Sequence, residues 1–244
     1  MSETNSSKDC FQFKQFSIRQ VNAPMKVGTD GVLLGAWARV ESTQKILDIG
    51  TGTGVIALMV AQRSPGSQIF GIDIDASSII DAQFNVDHSI WKDNIHIEHV
   101  SLQDFDQLQY GTFDLIVSNP PFFTGGVFSF NQDKAAVRHT IKLSHADLLG
   151  YSRKLLKADG RLALILPYLE GERLVELAKN FGFAPSLITE VRGRANKPIE
   201  RMLIELSVSG TFECKRDQII IEKDARNDWT DDYRKLMKDF LLKA

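Results

Sequence analysis

Leu47-Asp48-Ile49-Gly50-Thr51-Gly52-Thr53-Gly54 is the stretch that decides the architecture. The apolar run ending at Ile49 has the character of a buried strand, and the residues from Val55 onward carry a helical period. Between them three glycines alternate with two threonines. Glycine at a strand-to-helix turn lets the backbone bend tightly and lets a ligand approach it closely.

Outward from this turn, short β-branched runs alternate with longer helical patterns, as in a sheet fed by right-handed crossovers. Five strands are expected in succession, at 45–49, 68–73, 95–100, 113–118 and 161–166. Helices are expected to begin near Val55, Ser77 and His145. The last is N-capped by Ser144, carries Leu148, Leu149 and Leu155 on one face, and is stopped by Lys157-Ala158-Asp159-Gly160. A helix over 172–180 precedes two strands, 186–192 and 201–207, that face each other across 193–198 as a hairpin. The fold class expected is α/β: a Rossmann-like sheet of seven strands, mostly parallel, with an antiparallel C-terminal hairpin and helices on both faces. A helix is expected from near Val32, and 231–242 reads as an amphipathic closing helix. At 244 residues one domain suffices. It divides into a mobile 1–10, an N-terminal segment 11–44, a core 45–210 and a C-terminal extension 211–244.

In an open α/β sheet the ligand edge lies at the carboxyl ends of the strands. Asp48, Gly50, Thr51, Gly52 and Gly54 stand at the end of the first core strand. Their GxGxG spacing differs from the GxGxxG of dinucleotide binders. Asp48 disfavours a pyrophosphate and suits a cationic amino-acid end such as that of S-adenosylmethionine. The second strand ends in Asp73-Ile74-Asp75, where Asp73 can accept hydrogen bonds from both ribose hydroxyls and Asp75 caps the following helix. After the third strand, Asp104-Phe105 places a carboxylate within reach of an adenine amine, although an aspartate there also serves as a plain turn residue.

The fourth strand runs into Asn119-Pro120-Pro121-Phe122. Two prolines remove two backbone donors and fix two φ angles, giving a rigid loop whose carbonyls face outward. The Asn119 side-chain oxygen and the Pro120 carbonyl can both accept from an NH2 group, turning the nitrogen lone pair out of conjugation. Phe122 offers a flat face for a planar substrate, worth about 1–3 kcal/mol if that substrate is a base. The expected chemistry is therefore transfer to a planar exocyclic amine by positioning, with no strong base required.

A net charge of −2 argues against a uniformly basic coat for nucleic acid and leaves a local basic face open. Its candidates are Lys14, Arg19 and Lys26 near the front and Arg192, Arg194, Lys197 and Arg201 late in the chain, against the alternative of ordinary solvated charge. Arg138, beyond the catalytic loop and Gly125-Gly126, is a phosphate contact or a surface residue. Cys10 and Cys214 lie far apart with no metal-ligand spacing, and His96 and His99 point to opposite faces of a strand. Neither a disulfide framework nor a metal is expected. No apolar run reaches the roughly 20 residues of a membrane span, and a cytoplasmic setting is expected.

With these residues in place, the glycine loop and Asn119-Pro120-Pro121-Phe122 resemble the class I amino-methyltransferases, a Rossmann-like group that methylates adenine, guanine or glutamine. Three further stretches narrow the resemblance: Phe13-Lys14-Gln15-Phe16, the run 25–37 (MKVGTDGVLLGAW), and the hairpin with Asn196-Lys197-Pro198 and Arg201. Together these are similar to the bacterial valine-tRNA adenine methyltransferases, from about residue 11 to the C-terminus. The resemblance implies S-adenosylmethionine as cofactor and N6 of adenine 37, in the anticodon loop of a tRNA, as target. It implies that Gly28, Thr29 and Asp30 cover the methionine end of the cofactor, with Arg19 and Lys26 near the RNA. Read from the residues alone, the run 26–31 could instead be a plain turn before a helix, the lesser alternative. Phe122, where a tyrosine is also used, occurs in guanine-N2 methylators as well. The motif itself therefore leaves adenine, guanine and glutamine open, and an RNA-binding module without catalysis is the remaining alternative.

Overall fold

The computed structural model describes residues 9–41, 43–105, 107–120, 143–208 and 213–243. Two short strands, β1 (Cys10–Gln12) and β2 (Ser17–Arg19), form an antiparallel hairpin ahead of helix α1 (Thr29–Trp37). The core then alternates: β3 (Lys45–Ile49), α2 (Val55–Arg63), β4 (Gln68–Asp73), α3 (Ala76–Asp87), β5 (Ile95–His99), a short helix α4 (Gln107–Tyr110) that was not expected, and β6 (Phe113–Ser118). After 143 come α5 (His145–Leu155), β7 (Leu156–Pro167), α6 (Tyr168–Ala178), β8 (Ala184–Arg192), β9 (Arg201–Ser207), β10 (Lys215–Ile220) and α7 (Asp231–Met237).

The main sheet has eight strands in the order β10-β8-β9-β7-β6-β3-β4-β5, and β9 alone runs antiparallel to its neighbours. The seven expected strands and the antiparallel hairpin are all present. The eighth, β10, joins the edge parallel to β8. Its sequence, KRDQII, is exposed over its first four residues and so carries no alternation to read.

The period of two along each strand divides the core into layers. Ile46, Leu115, Val117, Ala163 and Ile165 face the layer of α1, α2 and α7, whereas Leu47, Ile116, Leu162 and Leu164 face that of α5 and α6. Burial on both faces explains why the central strands are apolar throughout.

Several boundaries differ from expectation for local reasons. Helix α1 begins at Thr29 rather than near Val32, because Gly28 takes an extended cap conformation and its carbonyl accepts from Val32 N–H at 3.3 Å. Ser144 does cap α5, accepting from Asp147 N–H. β7 starts at Leu156 rather than 161: residues 157–160 loop out of the ladder between the pairs Phe113↔Leu156 and Leu115↔Arg161. Helix α6 starts directly after Pro167, ahead of the expected 172, and α7 is shorter than the expected 231–242. Cys10, assigned to the mobile stretch 1–10, lies in β1. Among the described residues no helix is long and apolar enough to cross a membrane.

Candidate cofactor and catalytic site

The glycine loop adopts the geometry its residues permit. Gly50, Gly52 and Gly54 have φ of 72°, 56° and 79°, left-handed values that disfavour any side chain. Gly50 N–H and Thr51 N–H both donate to the Ile72 carbonyl, at 2.9 and 3.0 Å, hooking the loop onto the end of β4. Glycine at 71 is required beside it, since a Cβ there would stand 2.8 Å from Thr51 Oγ1.

Asp48 is fully buried beneath this loop. Its Oδ2 accepts from Thr51 Oγ1 at 2.7 Å, while Oδ1 has no partner among the described residues. Burial pushes the carboxyl up to about 7; the Thr51 hydroxyl works against the rise and the Asp73 charge adds to it. A cationic group above the loop would supply the missing partner. Asp73, at the next strand end, accepts from Gly52 N–H and Asp75 N–H, each at 2.9 Å on a different oxygen. Each oxygen keeps a second acceptor site for a hydroxyl. Ile74 beside it is 56% exposed, an apolar face on the ligand edge.

Asp104 is exposed and closes a turn with Ser101, whose Oγ lies 2.6 Å from its Oδ2. The Phe105 ring is buried and stacks on Tyr110 at 4.5 Å, so toward a ligand this residue presents backbone rather than side chain.

Asn119 follows β6, whose last residue Ser118 donates to the Ile49 carbonyl at 2.8 Å and so ties the catalytic strand end to the glycine loop. The Asn119 Oδ1 is buried and unpartnered among the described residues. Helix α1 covers it: a Cβ on Gly31 would lie 4.0 Å from Asn119 Nδ2 and 3.5 Å from Val55 at the start of α2. Gly28 and Thr29 are exposed at the head of α1. Pro120 is buried; Pro121, Phe122 and Arg138 lie outside the described residues. Buried, unsatisfied oxygens on Asp48 and Asn119 around an open glycine loop fit a cationic cofactor and an amine-bearing substrate.

The front segment is held in place by residues that sequence reasoning missed. Asp81, fully buried on α3, accepts from Asn22 N–H, Asn22 Nδ2 and Ala23 N–H and pairs with Arg19 at 3.4 Å. Asn85, one turn on, accepts from Arg19 N–H at 2.7 Å and donates to the carbonyls of Arg19 and Thr53. The only signal was polar residues on the inward face of a helix.

The candidate cations divide. Arg19 lies over the Phe84 ring at 4.6 Å, on α3, while Lys26 donates to the Gln20 carbonyl in the run leading to α1. Arg194 and Lys197 sit in the β8–β9 loop, Arg194 bonded to Glu222 at 3.0 Å and Lys197 exposed. Arg201 joins the two groups by donating to Asp30 at 2.8 Å.

This strand order, with a glycine loop after its first core strand and carboxylates at successive strand ends, defines a class I S-adenosylmethionine-dependent methyltransferase. Residues 26–187 match the family Methyltransferase small domain. The chain is 41% identical over 233 residues to the tRNA1(Val) (adenine(37)-N6)-methyltransferase of Parabacteroides distasonis, covering 96% of this chain and 98% of that one. It is 42% identical to the protein of that name in Trichodesmium erythraeum, with the same coverage. Among solved structures it is similar in fold to one described as a predicted O-methyltransferase of Agrobacterium tumefaciens (TM-score 0.69, 16% identity, 86% of this chain and 96% of that one). A methyltransferase of Pyrococcus furiosus is also similar in fold (TM-score 0.56, 19% identity, 79% and 90%). The chain belongs to the tRNA1(Val) (adenine(37)-N6)-methyltransferase family.

Proposed function

We propose that this chain transfers a methyl group from S-adenosylmethionine to the exocyclic N6 of adenine 37 in the anticodon loop of valine tRNA, in the cytoplasm. The observation that carries the chemistry is the buried Oδ1 of Asn119 at the end of β6, which has no partner among the described residues. The choice of adenine and of this tRNA rests on the full-length relatives.

When bound, S-adenosylmethionine supplies a methyl group activated by its sulfonium charge. Asp48 would balance the cationic amino-acid end, Asp73 would accept from the ribose hydroxyls, and Ile74 would lie against the adenine ring. Asp104 and the Phe105 backbone would receive the adenine amine, and Gly28 and Thr29 would cover the methionine end. The glycines at 50, 52 and 54, with Thr51, let the backbone come close enough to hold all of this.

The target adenine leaves its stack, and Phe122 provides a face for it. Asn119 Oδ1 and the Pro120 carbonyl accept the two N6 hydrogens, orienting the nitrogen lone pair toward the methyl. As the N–C bond formed, the methyl's bond to the sulfonium sulfur would break with its electron pair returning to sulfur, and the cationic nitrogen would then lose one of these hydrogens as a proton to solvent. Such positioning supplies most of the acceleration. Arg19, Lys26, Arg138, Arg194 and Lys197 are assigned to the RNA backbone. Segment 11–44 covers the site, and 45–210 and 211–244 form the core and its extension within one domain.

The test is to incubate the protein with labelled S-adenosylmethionine and unmodified bulk tRNA, digest to nucleosides and identify the labelled base. N6-methyladenosine mapped to position 37 of valine tRNA is expected. Labelled N2-methylguanosine, or label confined to ribosomal RNA or protein, overturns the proposal.

A further inference from the structure

Asp30 and Arg201, 171 residues apart in the chain, meet at the catalytic edge. β7 and β9 continue there past the end of β6: Leu164 pairs with Ser118, and Pro167 and Arg201 lie level with each other three residues further on. The two strands therefore rise about 10 Å beyond Ser118. From this rim Arg201 Nε donates to Asp30 Oδ2 at 2.8 Å, in the first turn of α1.

The other end of α1 is held without this pair. Trp37 Nε1 donates to Thr189 Oγ1 at 2.9 Å, Arg39 Nε donates to Glu205 at 2.8 Å, and Arg63 donates to the carbonyls of Gly35 and Ala38 at 3.0 and 2.6 Å. The Arg201 and Asp30 side chains are 32% and 20% exposed, and an ion pair so placed adds little to stability. What it fixes is where the head of the helix lies. Gly31 is the next residue, and a Cβ on it would stand 4.0 Å from Asn119 Nδ2 and 3.5 Å from Val55. Having no side chain, Gly31 meets the catalytic amide with backbone, so the contact depends on the placement of the helix itself. Asn119 depends on such a wall, because the χ2 torsion of an asparagine is soft and roughly two-fold.

We propose that Asp30 and Arg201 are positioning residues, whose ion pair sets the head of α1 against the Asn119 amide and so aims Oδ1 at the substrate amine. This rests on the reading of Asn119 as the acceptor of that amine. The Asp30 carboxylate is directed at Arg201 and acts through α1, not on the cofactor. An aspartate in the first turn also favours the helix macrodipole. Replacing Arg201 leaves that effect intact, so the two roles separate by experiment.

The experiment measures kcat at saturating cofactor and RNA for Asp30→Asn, Arg201→Gln and the double variant, each also in an Asn119→Ala background by single-turnover assay. Each single variant is expected to lower kcat about 10-fold, and the double variant about 10-fold as well, since the two residues act as one unit. Cofactor affinity, read by calorimetry, is expected to stay within about threefold. In the Asn119→Ala background the same substitutions are expected to change the residual rate less than about twofold, because the residue they act through is gone. Unchanged kcat, losses that multiply in the double variant, or an undiminished effect without Asn119 overturns the proposal. So does a cofactor defect confined to Asp30→Asn. Hydrogen exchange on the cofactor-free protein reads the geometry without any reaction. Protection of the amides at 32–34 is expected to fall in both single variants while that of Ala38 stays, and unchanged protection at 32–34 also overturns the proposal. The base or side chain that wild type methylates is identified separately. Guanine or glutamine in place of adenine would overturn the functional reading, and the same variants on that substrate would still decide the positioning role.

Discussion

Asn119 and Asp48 are the residues with most at stake, because each keeps a buried oxygen without a partner among the described residues. Under the proposed function, Asn119→Ala removes an acceptor that acts on the substrate amine alone. Turnover is expected to fall at least about 10²–10³-fold while cofactor affinity, read by calorimetry, stays within about threefold. A large loss of cofactor binding would reassign the residue. Asp48 behaves differently because its carboxyl is held up to about 7 by burial, against an ordinary 3.8. The folded state retains a proton that the unfolded chain releases. Its contribution to stability is therefore full below about 4 and lost as pH rises through about 7. The cofactor-free protein should melt at lower temperature at pH 8 than at pH 5, and Asp48→Asn should flatten that difference while weakening cofactor binding. Binding of a cation beside Asp48 should also release protons near pH 7, seen as a buffer-dependent calorimetric enthalpy.

Elements pack as they do because particular side chains hold them. α3 supports both the front segment and the glycine loop through Asn85, whose amide makes three hydrogen bonds to backbone. Asn85→Ala strands those groups in a buried site and should cost about 2–4 kcal/mol. Hydrogen exchange should show protection lost first around 17–20 and 51–54. The contact between α1 and α2 is set by Gly35, where a Cβ would meet Met59 Cβ at 2.9 Å. Gly35→Ala is expected to destabilise by about 1–3 kcal/mol in urea unfolding, as overpacking does. A melting curve matching wild type would mean the two helices separate easily.

Across the whole molecule, the covering segment and the sheet are joined at both ends of α1. At the ligand edge Asp30 pairs with Arg201. Toward the other edge Arg39 pairs with Glu205, which is fully buried and also takes Arg161 and Ser186. Burial pushes the Glu205 carboxyl up, but hydrogen bonds from Arg39 and Ser186 and the two guanidinium charges outweigh it, leaving the group below its ordinary value. Stability from this cluster is therefore present above the usual glutamate range and lost as pH falls through the lowered value. Glu205→Ala, which leaves two guanidinium groups without their buried partner, is expected to cost about 3–5 kcal/mol at neutral pH. A loss below about 1 kcal/mol would show that water reaches the site.

The local code was strong wherever a residue's own chemistry dictates its backbone or its neighbours. Glycines at 50, 52 and 54, Ser144 and Asp75 as caps, and apolar runs at 45–49 and 113–118 act within a few residues of themselves, so the succession of strands, the starts of α2, α3 and α5 and the ligand edge could be read in advance. Three things were not legible. β10 pairs through backbone alone and shows no pattern in its exposed side chains. Asp81 and Asn85 act on residues 32–66 positions away. The ion pairs of α1 join residues 166–171 apart, whose meeting depends on how layers close and on no local propensity. The amino-acid sequence by itself determined which atoms stand at the catalytic edge. Only the tertiary structure decided what covers them and what rises beside them, because those arrangements follow from long-range packing.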